Sequence, residues 1–327
     1  MNSQKIRQHK LVEKSPVFAA ILMCLMWFVV YQLVEIAINL PLSLLLSGYD
    51  GMTGPIGLIG SIAIMMGVYK WWFRPEFEGM LKGNLPLGFL LGLIELGYLL
   101  LSFVFSVFTG YELSFKPLTA AIVFVSLGAG MAEELAFRGV LLSTLMRQWK
   151  DRNKFITAAL ISGILFGLIH ATNVFAGADP LRTIVQVVES VGVGAFFSAV
   201  YLRSGSILPC MFYHTLHDII AIAGESEVTE SGIITAKEFN LGDGLSLLLS
   251  LVLLAISIWL IRPAKNEEMR EIWNRKWKPA AVIPEQEPAA VIPKQEPAAV
   301  IPEQEPAAAD QKQEAASVSQ EVNLNEQ

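Results

Sequence analysis

The residues from 120 to 142, AAIVFVSLGAGMAEELAFRGVLL, form an apolar run that carries three ionisable side chains, Glu133, Glu134 and Arg138. As a helix, this run is long enough to cross a hydrocarbon layer of roughly 30 Å. Charged groups inside such a helix cost free energy unless they face protein or water. The stretch therefore predicts a membrane helix that carries a functional site.

The rest of the chain shares this apolar character. Of its 327 residues, 53% are hydrophobic and 17% are charged, which is far more apolar than a soluble domain of this length requires. Apolar runs of about 20 residues, the length that spans a bilayer, lie near 17–38, 53–73, 86–109, 118–142, 155–176, 183–202, 206–223 and 244–262. The sequence predicts an all-α, polytopic membrane protein with about eight transmembrane helices.

Lysine and arginine are concentrated at alternate ends of these predicted helices. At the opposite ends lie only Lys116, Arg182 and Lys237. Because cytoplasmic loops are enriched in Lys and Arg, we expect a multi-pass protein of the cell membrane with both termini in the cytoplasm. Cys24 and Cys210 lie in separate apolar segments and predict neither a disulfide framework nor a metal site.

Composition divides the chain into three parts. Residues 1–15 form a basic N-terminus, residues 16–265 form the eight-helix domain, and residues 266–327 form a cytoplasmic tail. From residue 279 the tail repeats the motif PAAVIPEQE with variations. Because frequent proline removes amide donors and polar residues cannot form a core, we expect this tail to be disordered. It is a spacer or the binding site of a partner.

The two glutamates of the first run are expected to differ in role. Glu134 and Arg138 are four residues apart and share one helix face, which predicts an ion pair, whereas Glu133 is turned about 100° away. Without a local partner, Glu133 is the candidate for chemistry.

Other polar residues fall in predicted membrane helices at a similar depth. Counted from the nearest basic residue at the cytoplasmic end, Glu133, His170, His214 and Asp218 lie 11 to 16 residues into the membrane. At 1.5 Å per residue this is roughly 16 to 24 Å, so the four side chains can meet at one level. Glu95, Glu189 and His217 are candidates with open roles at comparable positions.

A buried carboxylate and two imidazoles can activate water, by general-base action or on a metal, and can stabilise an oxyanion. Peptide hydrolysis is the natural reaction. A proton-coupled transporter also uses buried Glu and His, and a membrane scaffold without catalysis, including one that gives immunity to a bacteriocin, is a third possibility. We find no two similar halves of the kind that many transporters have.

The polar residues also follow an ordered pattern: Glu133-Glu134 with Arg138, then Phe166 with His170, then His214 with Asp218. This pattern resembles the CAAX protease and bacteriocin-processing family of intramembrane peptidases, also called the Abi or type II CAAX prenyl endopeptidase family. The resemblance covers about residues 115–225. It implies an eight-span helical fold, an active site open to the cytoplasm, and cleavage of a peptide bond in or near the membrane.

By this resemblance, Glu133 and His170 would activate the water. His214 and Asp218 would hold the oxyanion, and Glu134, Arg138 and Phe166 would support the site. The same four catalytic residues would be the ligands if a divalent metal such as zinc takes part, and a metal-free mechanism is the alternative. Family members often have Asn where this chain has Asp218. We expect a peptide or membrane-protein substrate in a lipid bilayer, prenylated or not, and no nucleic acid as a partner.

Overall fold

The computed structural model describes residues 11–48, most of 60–67, and all of 77–108, 118–224 and 241–277. These residues form helices and no strand, apart from an isolated antiparallel bridge between Phe77 and Trp277. The predicted all-α architecture is confirmed for this part of the chain.

The main α-helices follow one another in chain order. They are α1 Pro16–Leu45, α2 Leu85–Phe108, α3 Ala120–Glu134, α4 Ser143–Trp149, α5 Phe155–Ile169, α6 Pro180–Ser204, α7 Leu208–Gly224, α8 Leu241–Leu260 and α9 Asn266–Lys276. A π-helix, Leu135–Leu142, joins α3 to α4, and 3-10 helices follow α5 at His170–Ala176 and α8 at Pro263–Lys265.

Among the described residues, five helical stretches are long and apolar enough to cross a membrane, so the chain is a multi-pass membrane protein. They are Pro16–Leu45, Leu85–Phe105, Phe155–Phe175, Pro180–Ser204 and Asp243–Leu260. The predicted runs at 118–142 and 206–223 also form helices. The run at 53–73 lies mostly outside the described residues, and the count of eight stays a prediction.

The basic N-terminus up to residue 10 and the repeats from residue 278 also lie outside the described residues. The start of the stretch that composition assigned to the tail is described, however, and it forms α9. In α9 the Trp273 ring is fully buried and its Nε1 donates to the carbonyl of Leu202 at 3.2 Å. Helix α9 is therefore part of the folded core.

Glycines bring the helices that carry the polar residues close together. A Cβ atom at Gly163 would lie 2.7 Å from the amide nitrogen of Ala195, and one at Gly167 would lie 2.5 Å from the carbonyl oxygen of Val187. Helix α5 thus packs directly against α6. At Gly130 a Cβ would lie 2.6 Å from Oγ1 of Thr215, so α3 and α7 are equally close.

Candidate active site

A buried ion pair forms the base of the site. Nη1 of Arg138 donates to Oε1 of Glu134 at 2.8 Å, and both side chains are fully buried. This confirms the pair predicted from their four-residue spacing. The same Oε1 atom lies 3.0 Å from Nδ1 of His214, whereas Oε2 has no hydrogen-bond partner among the described residues. One carboxylate oxygen therefore joins α3, the π-helix and α7.

Arg138 is held from a second side by α6. Its Nη2 donates to the carbonyl of Gly194 at 2.8 Å, and its guanidinium lies 4.7 Å from the centre of the Phe166 ring. A Cβ atom at position 194 would come within 2.8 Å of Phe166. Glycine at this position thus lets the Phe166 ring and the Arg138 guanidinium approach the backbone of α6.

The π-helix is the main local difference from the sequence prediction. The apolar run suggested one regular helix over 118–142, but α3 ends at Glu134 and all eight residues of the π-helix are buried. Single π-helical turns inside α-helices are frequent at functional sites. Here the change of helix type begins directly after the two glutamates.

Glu133 lies on the accessible side of the same helix. Its side chain is 23% exposed, whereas that of Glu134 is 0% exposed. Oε2 of Glu133 lies 3.6 Å from Nε2 of His214, and Oδ1 of Asp218 lies 3.8 Å from the same nitrogen. Three polar groups converge without being mutually hydrogen-bonded, which leaves each of them able to bind atoms of a substrate or a water.

His170 reaches this group through an aromatic ring. It begins the 3-10 helix after α5, and its ring contacts Phe166 edge-on at 5.1 Å. Phe166 in turn contacts the ring of His214 edge-on at 5.5 Å. Among the described residues, no hydrogen bond or ion pair joins His170 to Glu133, His214 or Asp218. The structure therefore brings three predicted catalytic residues together directly and places the fourth, His170, against Phe166.

A second acid–imidazole pair lies beside the first. Oε1 of Glu95, a fully buried side chain on α2, lies 2.7 Å from Nδ1 of His217. Glu189 of α6 interacts with Ser246 of α8 and is close enough to His217 for the two groups to interact electrostatically. Comparable depth in the membrane was the only sequence signal for these residues.

Sequence reasoning also missed two contacts at the centre of the site, that between Glu134 and His214 and that between Arg138 and Gly194. They join residues 80 and 56 positions apart. A single sequence contains no local signal for pairings across such distances.

A zinc centre needs three or four His, Cys, Asp or Glu ligands around one point. In the part of the chain that the structure describes, no three His, Cys, Asp or Glu side chains are arranged to hold a metal ion. Nδ1 of His214 faces Glu134, and His170 makes no polar contact with Glu133. The described residues, as placed, do not fit a zinc centre.

Comparison with known proteins identifies the segment that carries the site. Residues 114–220 match the family model described as Rce1-like, type II CAAX prenyl endopeptidase Rce1-like. The curated proteins and the solved structures gave no match. The matched segment contains all seven motif residues. The resemblance predicted from the three motifs is thus confirmed, and residues 114–220 carry the pattern of the Rce1-like type II CAAX prenyl endopeptidases, a family of peptidases.

Proposed function

We propose that the protein is an intramembrane endopeptidase in which Glu133 activates the water that attacks a peptide bond. The observation that carries this proposal is the unequal setting of two adjacent carboxylates. Glu134 is fully buried against Arg138 and His214, whereas Glu133 is partly exposed and faces Nε2 of His214. A substrate and a water can reach Glu133, and they cannot reach Glu134.

In the first step, Glu133 takes a proton from a water as the water oxygen attacks the carbonyl carbon of the peptide. The carbonyl oxygen becomes an oxyanion. His214, protonated on both nitrogens, donates to the oxyanion from Nε2 and to Glu134 from Nδ1. Buried donors of this kind stabilise charge that develops in the transition state. The proton held by Glu133 then passes to the leaving amine as the carbon–nitrogen bond breaks, which restores the carboxylate.

Asp218 has an orienting role in this scheme. An ionised carboxylate cannot donate a hydrogen bond to an oxyanion, and its Oδ1 lies 3.8 Å from Nε2 of His214. Asp218 keeps the imidazole of His214 in place when no substrate is bound. His170 completes the predicted set by orienting the attacking water, and catalytic contacts commonly tighten when a substrate binds.

The substrate is a peptide or a membrane-associated protein, cleaved close to the cytoplasmic half of the cell membrane. The family description names CAAX prenyl endopeptidases. A farnesylated CAAX peptide and the same peptide without the lipid are therefore the first substrates to compare. Cleavage of both would place recognition in the peptide, and cleavage of the farnesylated form alone would place it in the lipid.

The requirement for a metal is tested directly on purified protein. Our scheme predicts that chelation of divalent metals leaves cleavage unchanged. Loss of cleavage on chelation, with recovery on added Zn²⁺, would replace this scheme with a metalloprotease mechanism.

The proposed function is tested in cells that carry the protein or its Glu133→Ala variant as the only copy. Peptides from the membrane and from the medium are compared by their N-terminal residues. We expect at least one peptide whose N-terminus appears with the wild type and disappears with Glu133→Ala. The matched control is Asp151→Ala, which removes an exposed carboxylate at the end of α4. Identical peptide sets from wild type and Glu133→Ala would contradict the proposal.

A further inference from the structure

His217 is a histidine of α7 that the proposed reaction does not use. Its Nδ1 lies 2.7 Å from the fully buried carboxylate of Glu95. The ring also stacks on Tyr98, with 6.1 Å between centroids and 18° between planes. The imidazole is therefore fixed both in its plane and at one nitrogen, and only Nε2 remains for another partner.

The free edge of this ring lies on the accessible side of the site. The side chain of His217 is 25% exposed, close to the 23% of Glu133 and the 22% of Asp218. Among the described residues, Nε2 has no hydrogen-bond partner. Both Asp218 and His170 interact electrostatically with His217. His217 thus borders the same region as the predicted catalytic residues.

Charge balance determines what Nε2 can do. In a membrane interior a pair with net charge is costly. The Glu95–His217 pair is neutral when it holds two protons, one in the contact between the carboxylate and Nδ1 and the other on Nε2. In that state Nε2 is a hydrogen-bond donor whichever partner formally holds the shared proton.

We propose that His217 is a substrate-binding residue, which donates a hydrogen bond from Nε2 to a backbone carbonyl of the bound peptide, and that Glu95 is the positioning residue for its ring. A peptide backbone that enters the membrane has carbonyl groups that need donors. The neighbouring Glu133 and Asp218 carboxylates offer acceptors, and His217 supplies the donor they lack. This inference rests on the proposed function, because it assigns a contact to the peptide substrate.

The test measures binding without cleavage, in the Glu133→Gln background. The probes are a fluorescein-labelled farnesylated CAAX hexapeptide and its form without the lipid, each titrated by fluorescence anisotropy. Adding His217→Ala should weaken binding of at least one probe about five- to tenfold, the usual effect of losing one hydrogen bond in a buried site. His217→Gln keeps an N–H donor and should restore most of the affinity.

A thioamide scan then locates the carbonyl. Replacing one peptide oxygen by sulfur weakens the hydrogen bond that this position accepts. At the carbonyl that contacts His217, the replacement should lower the affinity of Glu133→Gln for the peptide. The affinity of Glu133→Gln/His217→Ala should stay unchanged. Positions that do not contact His217 should affect both proteins equally.

Substitution of Glu95 tests the positioning role. Glu95→Gln retains a hydrogen-bonding partner for Nδ1 and should bind the probe as the parent does. Glu95→Leu removes that partner and should lose as much affinity as His217→Ala. A melting-temperature comparison shows whether each variant is folded. The ¹⁵N resonance of His217 Nε2 shows whether this nitrogen carries a proton in Glu95→Gln and in Glu95→Leu.

Equal affinity of the parent and His217→Ala for every probe, or no saturable binding of either probe, overturns the inference. The proposed function can fail separately. Binding that depends on His217 in a wild-type protein that cleaves no peptide would remove the protease proposal and leave His217 as a peptide-binding residue.

Discussion

Oε1 of Glu134 lies 3.0 Å from Nδ1 of His214, and the same atom accepts a hydrogen bond from Arg138 at 2.8 Å. One buried oxygen thereby links α3 to α7 and, through Arg138, to α6. The carboxylate that sequence spacing assigned to a local ion pair also determines which nitrogen of His214 faces Glu133. Glu134 is a positioning residue for the proposed oxyanion donor.

Glu134→Ala should destabilise the protein strongly. The substitution leaves the fully buried guanidinium of Arg138 without its carboxylate, and removal of one partner of a buried ion pair costs about 3–5 kcal/mol. The free energy of unfolding can be measured by SDS titration in detergent micelles. Asp151→Ala removes a partner of Lys150 that is 60% exposed and should change stability by no more than about 0.5 kcal/mol. Similar losses of unfolding free energy in the two variants would contradict a buried ion pair between Glu134 and Arg138.

Gly130→Ala should separate the two halves of the site. The added methyl group would lie 2.6 Å from Oγ1 and 2.9 Å from the backbone nitrogen of Thr215, so α3 must move away from α7. We expect loss of peptide cleavage and a lower melting temperature. The matched control is Gly97→Ala in α2, where no atom of the described residues lies within 4 Å of the new methyl group. Equal behaviour of the two variants would show that the packing of α3 on α7 is not needed.

Lys276 at the end of α9 should make stability depend on pH. Its Nζ donates to the carbonyls of Gly79 and Lys82, both at 2.8 Å. Burial lowers the pKa of this amine from 10.5 to about 8. Between these two values the unfolded chain binds more protons than the folded one, so the contribution of Lys276 to stability increases as the pH rises from 8 to 10.5.

The measurement compares wild type with Lys276→Met over this range. Other lysines titrate in both proteins, and the difference between them isolates Lys276. We expect the wild type to gain stability relative to the variant with rising pH. Parallel curves, or a relative loss by the wild type, would mean that the amine is not held in a buried site.

Truncation should separate the repeat tail from α9. A chain that ends at Lys278 keeps the fully buried Trp273 and should retain the melting temperature and the cleavage rate of the full chain. A chain that ends at Lys265 loses this ring and the ion pair of Arg203 with Glu268 at 2.9 Å. Loss of a buried Trp side chain alone costs about 3–5 kcal/mol. A stable chain ending at Lys265, or an inactive one ending at Lys278, would reverse the assignment.

The features that follow local rules were predictable from the sequence. The membrane helices follow from apolar run length, and the Glu134–Arg138 pair follows from helix periodicity. Depth counting placed Glu133, His214 and Asp218 at a common level. Depth alone does not define rotation about the helix axes. It therefore could not show that His170 makes no polar contact with Glu133.

What sequence reasoning missed depends on contacts between distant residues. The partner of His214 is set by the close packing of α3 on α7 at Gly130, and the partner of His217 by α2. The fold of α9 was also missed, because its charged residues resemble the polar tail that follows. Only its buried face, with Met269 and Trp273 fully buried, distinguishes it.

The central claim is that Glu133, and not its neighbour, carries the chemistry. The most direct measurement is the rate of peptide cleavage by purified Glu133→Gln in detergent, with melting temperature as the control for folding. Loss of a general base commonly lowers a rate by about a hundred- to ten-thousandfold, so we expect a fall of at least about a hundredfold with an unchanged melting temperature. Cleavage at the wild-type rate by the folded variant would contradict the account.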